Sequence, residues 1–243
     1  MDWEVNYNLL LLVFFATILS YSFQRVVRHT NNGSINSSRH LWVYNQKNFL
    51  LGIIVLSSIV SGYFFFTLFT FSELVYFSPL IAIALFYAVK LFDKSLRDIS
   101  FLKIILIAIS WASVTVLIPS YINQSFLQVD VWVLFTLNFL YIFALVIPFD
   151  IRDLDIDESD KKTIPQITGV KSAKIIGALL IVICGIFACV MLDQAVPLLP
   201  VYVLSIIVVL LTNKKRTEFF YAFGIDGLIL LFPISTWIVK SYL

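Results

Sequence analysis

Charge is the scarcest property of this chain. Only 13% of its 243 residues are Asp, Glu, Lys or Arg, and no carboxylate occurs between Glu4 and Glu73. The net charge of +2 leaves no cationic excess to track a phosphate backbone, which excludes nucleic acid as a partner. Cysteine is nearly absent: Cys184 and Cys189 share one apolar run at a spacing that fits neither a CxxC redox motif nor a zinc site, so both read as small packing residues. Glycine and proline are also sparse, at eight and seven residues, and with few ionisable groups in the apolar runs this argues against a transporter built on broken helices. A cleavable leader is not expected either. After MDWEV, the run from Leu9 to Ser20 lacks a small-residue cleavage site and continues as a first span.

What is abundant is apolar surface. Hydrophobic residues make up 60% of the chain and aromatic residues 16%, and the mean hydropathy is +0.94, so lipid rather than water is the main solvent. A bilayer core of roughly 30 Å needs about 20 helical residues, and helices are forced because unpaired backbone groups are not tolerated in lipid. This rule predicts an all-α polytopic transmembrane bundle of about eight spans, near 8–25, 49–70, 74–92, 101–120, 129–149, 173–193, 197–212 and 219–240, forming one transmembrane helical domain over 1–243. The connections support the division. The first, third, fifth and seventh hold sixteen of the seventeen basic residues, whereas the others hold none and contain only Glu73, Asp130 and Asp193 as charged groups. The positive-inside rule then puts both termini outside and every basic loop in the cytoplasm, as in a multi-pass protein of a bacterial inner (plasma) membrane.

The chemistry-bearing segment is FDIRDLDIDESDKKTIP, Phe149 to Pro165, at the cytoplasmic end of the fifth span. Continued as an α-helix, it places Asp150, Asp153 and Asp157 on one stripe while Asp155 points the other way. Three clustered carboxylates repel one another and call for a cation, and hard oxygen ligands suit Mg²⁺. Lys161 and Lys162 follow as point charges for phosphate oxygens. The plain alternative is a solvated loop whose acids offset its lysines.

The pattern Asp150-x-x-Asp153-x-x-x-Asp157 followed by Lys161, Lys162, Thr163, Ile164 and Pro165 resembles the second aspartate-rich motif of the UbiA superfamily of intramembrane prenyltransferases. If the first span here matches that family's second, the helix order also agrees. The resemblance implies a UbiA-like bundle with a cavity in which Mg²⁺ joins the aspartates to an isoprenoid diphosphate, whose prenyl group is transferred to an as yet unspecified small acceptor. Two features depart from the pattern. The family's first aspartate motif would fall in YSFQRVVRHTNN, Tyr21 to Asn32, which has no acid. The family's first span also has no counterpart, as in a reduced form or a start site that omits an upstream segment. Gln24, Arg25 and Arg28 stand where the acids would be. The three share a face at i, i+3 and i+4 spacing, with Arg25 and Arg28 suited to holding the diphosphate directly and Gln24 to lining the cavity, or the arginines are positive-inside anchors. Asp226, inside the last apolar run, is a candidate for lining the cavity, or for hydrogen bonding to a neighbouring helix. Two functions therefore follow: a protein that binds isoprenoid diphosphate, as a Mg²⁺-dependent prenyltransferase if active, or a non-catalytic membrane binding or scaffold protein of the same fold. Membrane lipid is a partner of either.

Overall fold

The computed structural model describes residues 5–31, 38–89, 95–99, 101–155, 162–192 and 196–242; at 28–31, 38–40 and 236–242 only the backbone is described. The described residues are mostly helical, with no strand among them. Five helices are long and apolar enough to cross a membrane: Tyr7–Val27, Lys47–Leu68, Leu102–Ile122, Val129–Asp155 and Val170–Met191. Three shorter apolar helices, Phe71–Phe86, Val196–Leu210 and Phe220–Ser235, coincide with the other three expected runs. At about 1.5 Å per residue, Phe71–Phe86 and Val196–Leu210 fall short of a bilayer core of roughly 30 Å, whereas the helix from Phe220 continues to Tyr242 and is long enough to reach across it.

The chain divides into two compact units, Met1–Ile99 and Ser100–Leu243. In the first, α1 (Tyr7–Asn31), α2 (Ser38–Asn45), α3 (Lys47–Leu68) and α4 (Leu74–Phe86) follow in order. The long helices α1 and α3 pack together, and α2 closes one end through a small cluster of Val26, Val43 and Leu50. Hydroxyls on these two helices bond back to their own backbones, Thr17 Oγ1 to Val13 O at 2.7 Å and Ser57 Oγ to Ile53 O at 2.6 Å, which satisfies them in an apolar medium. The α3–α4 corner is tight. Glu73 accepts from the backbone N–H and the hydroxyl of Thr70, at 2.6 and 2.7 Å, while the rings of Phe65, Phe69 and Phe77 meet at tilted and edge-on angles across the corner. Glu73, one of the few acids in the non-basic connections, thus serves as a helix cap.

The second unit contains α5 (Leu102–Ala112), α6 (Ile118–Ile122), α7 (Val129–Arg152), α8 (Ile164–Thr168), α9 (Val170–Met191), α10 (Leu199–Leu210) and α11 (Asp226–Tyr242). A π-turn at Ser113–Leu117 joins α5 to α6 as one rod, and another at Phe220–Ile225 leads into α11. The axis of this unit is α7, with half of its apolar stretch buried between α5 on one side and α9 on the other. At mid-depth Tyr141 donates or accepts a 2.7 Å hydrogen bond with Ser205, and its ring meets Phe232 and Tyr202 edge-on. Cys184 is buried in the same core, as a packing residue.

The contact of α9 with α7 and α10 depends on glycine. Pro148 lacks the N–H that would bond Ala144 O four residues back, so one α7 carbonyl is released from its ladder. Gly177 lies against that carbonyl: a β-carbon there would sit 3.5 Å from Ala144 O and 3.2 Å from Val209 Cγ1. Small residues permit such close approach where no hydrophobic force drives helices together. We predict that Gly177→Leu costs about 1–3 kcal/mol by overpacking, whereas Gly62→Leu, with nothing within 4 Å of its position, is near neutral. Thermal unfolding in detergent compares them, and equal midpoints would refute the close-approach account.

Candidate functional site

The predicted aspartate stripe ends differently from a continuous helix. The α-helix stops at Arg152, Asp153 takes non-helical angles, and Asp153–Asp155 form a short 3₁₀ turn. Asp157 and Lys161 lie outside the described residues. Each of the three described acids meets its own cation. Asp150, 1% exposed on α7, receives a 2.6 Å bond from Lys103 Nζ at the start of α5. Asp153 accepts both arms of Arg152, Nε to Oδ1 at 2.7 Å and the second nitrogen to Oδ2 at 3.1 Å. Asp155, exposed, takes Lys214 Nζ at 2.6 Å, from the connection between α10 and α11.

Arg152 is the hub of this end. Its guanidinium lies 5.1 Å from the Phe149 ring and 5.2 Å from the Tyr221 ring, with Glu218 Oε2 3.4 Å away. The Tyr221 hydroxyl donates to Asn213 O at 3.0 Å, which fixes the π-turn before α11 to the turn after α10. Charges from the third, fifth and seventh connections therefore meet on one end of the second unit, as expected if all three lie on one side of a membrane. Asp226, the candidate in the last apolar run, is exposed at the start of α11.

The remaining candidates have separate surroundings. Lys162 is exposed, with a left-handed φ of 44°, just before the box in which Thr163 N donates to Gln166 Oε1 at 2.8 Å and starts α8. Gln24 and Arg25 belong to the first unit. There the Gln24 amide donates to Ser20 Oγ at 3.1 Å, and the Arg25 guanidinium stands 5.6 Å over Trp42 of α2. The side chain of Arg28 is outside the described set.

Mg²⁺ fits this arrangement poorly. Ligation through Asp150 and Asp153 would require Lys103 and Arg152 to be displaced, one from a buried carboxylate and the other from a two-armed grip. Sequence reasoning missed the partners Lys103, Arg152, Lys214 and Glu218 because their spacing in the chain carries no local signal. The usable clue was that connections three, five and seven should share a side, so that Lys103 and Lys214 belong at the level of the aspartates. Compared with known proteins, the chain matches no family model, no curated protein and no solved structure.

Proposed function

We propose that this is an eight-span membrane protein of UbiA-like helix order whose aspartate segment closes one end of the helix bundle instead of holding a metal, and that it acts as a non-catalytic membrane binding or scaffold protein. The observation that supports this reading is the Lys103–Asp150 pair at 2.6 Å with Asp150 shut off from solvent. A carboxylate neutralised in that way is committed to joining α5 to α7. In this proposal the basic connections face the cytoplasm of a bacterial inner membrane, because they carry nearly all of the Lys and Arg.

A second reading is favoured by the order Asp150, Asp153, Asp157, Lys161, Lys162 and by the further cations Lys215 and Arg216 in the α10–α11 connection, whose Lys214 reaches Asp155. In it, the same end binds an isoprenoid diphosphate with Mg²⁺, and a prenyltransferase would use that site with a small acceptor.

Thermal unfolding with farnesyl diphosphate separates the two readings. A ligand of the folded state at about 100 times its Kd stabilises by about 2.7 kcal/mol. The scaffold reading predicts no shift with or without Mg²⁺. A Mg²⁺-dependent shift that disappears in Asp153→Asn with Asp157→Asn would overturn it in favour of the diphosphate reading. A shift that persists in chelator and is lost with Arg25→Gln and Arg28→Gln would overturn it in favour of direct phosphate holding.

A further inference from the structure

After α10 the chain turns within a few residues, and the turn is built from its own bonds. Arg216 N donates to Asn213 O at 2.9 Å, Lys215 N to Asn213 Oδ1 at 3.3 Å, and Thr212, fully buried, anchors the approach. The turn carries three consecutive cations. Lys214 is committed to Asp155 at 2.6 Å. Lys215 and Arg216 are exposed, and among the ion pairs of the described residues neither has a carboxylate. Arg216 is held in place by other means: its Nε donates to Leu211 O at 3.2 Å and its guanidinium lies 5.2 Å from the Phe220 ring. This uses one face and one edge, and leaves the terminal nitrogens available.

Apolar surface borders these charges. Phe219 and Phe223 are stacked at 4.4 Å and 26° and are 68% and 69% exposed, while Leu210 and Leu211 are 44% and 50% exposed on the other side of the turn. A guanidinium held in place and a neighbouring lysine, beside exposed aromatic and aliphatic side chains at the end of an apolar helix, match an amphiphile with an anionic head.

We propose that the Asn213–Arg216 turn is a binding site for an anionic glycerophospholipid, with Lys215 and Arg216 on the phosphate and the acyl chains along Phe219 and Phe223. The guanidinium supplies paired N–H donors to two phosphate oxygens, and Lys215 supplies a mobile point charge. This inference rests only on membrane insertion and is independent of whether the aspartates ever bind metal.

The test reconstitutes the full chain in nanodiscs of phosphatidylcholine doped with a fluorescent phosphatidylglycerol, and reads energy transfer from the protein's tryptophans as unlabelled lipids compete. Unlabelled phosphatidylglycerol should compete at least about tenfold better than phosphatidylcholine, since each basic residue near an anionic surface contributes about fivefold in affinity. Lys215→Gln with Arg216→Gln should reduce that preference to near parity. Lys47→Gln with Arg97→Gln, which removes the same charge from the first unit, should retain it. Equal preference in the first variant and the native chain would overturn the site, as would equal losses in both variants, which would indicate general charge attraction. Effective competition by millimolar inorganic phosphate or by farnesyl diphosphate, at the level of phosphatidylglycerol, would assign the cations to a soluble or prenyl phosphate and also overturn it. Should the double variant not fold, Lys215→Gln alone, at an exposed position, must still lower the preference severalfold.

Discussion

Asp150→Asn should cost about 3–5 kcal/mol of stability, the largest single-residue effect in the charged end of the molecule. The carboxylate is 1% exposed and Lys103 only 12%, so the amide would leave an ammonium facing a neutral group where water barely reaches. Restoring neutrality should restore stability. In Lys103→Met with Asp150→Leu, both charges are gone and the volumes are roughly kept, and most of the loss should return, because replacing a buried pair as a whole is often neutral or better. Unfolding titrations in mixed detergent measure all three proteins. A double variant no more stable than Asp150→Asn would show that the contact is not what holds α5 to α7.

Arg152→Ala comes next, at about 2–4 kcal/mol. Two charge-assisted hydrogen bonds to Asp153 and two ring contacts are lost together, each ring contact contributing about 0.5–1 kcal/mol. The Glu218 contact adds little, because it is 3.4 Å long and Glu218 is 64% exposed. Arg152→Lys should recover less than half, since an ammonium can neither span both oxygens of Asp153 nor lie flat between Phe149 and Tyr221. Amide exchange across Phe220–Ile225 offers a local readout, and that segment should lose protection in Arg152→Ala. Full recovery by lysine would mean that charge alone matters there, and the planar-fork explanation would fail.

The helical architecture was legible in the sequence because lipid leaves few options. The apolar runs near 101–120, 129–149 and 173–193 reappear as Leu102–Ile122, Val129–Asp155 and Val170–Met191, displaced by a few residues at their ends. The run at 74–92 proved less regular: α4 stops at Phe86. The charged end was only half legible. Extending α7 at a constant 100° per residue put Asp150 and Asp153 on a shared stripe, yet the helix ends between them and each acid turns to a separate cation. Asp155, set aside because it pointed elsewhere, does point elsewhere, toward Lys214. Periodicity describes neighbours along one helix. Lys103 and Asp150, 47 residues apart, meet because two helices run side by side, and a hydropathy pattern does not encode which cation faces which acid.

The short helix α10 also bears on how the protein is made. Its twelve residues rise about 18 Å, too little for the membrane-insertion machinery to accept as a span by length and apolarity alone. By contrast, α9 is 22 residues long and can enter lipid unaided. It leaves the ribosome first, and its Gly177 and Gly185 positions are the ones that meet Val209 and Tyr202 of α10. We therefore expect α10 to insert only once α9 lies in the bilayer as its template.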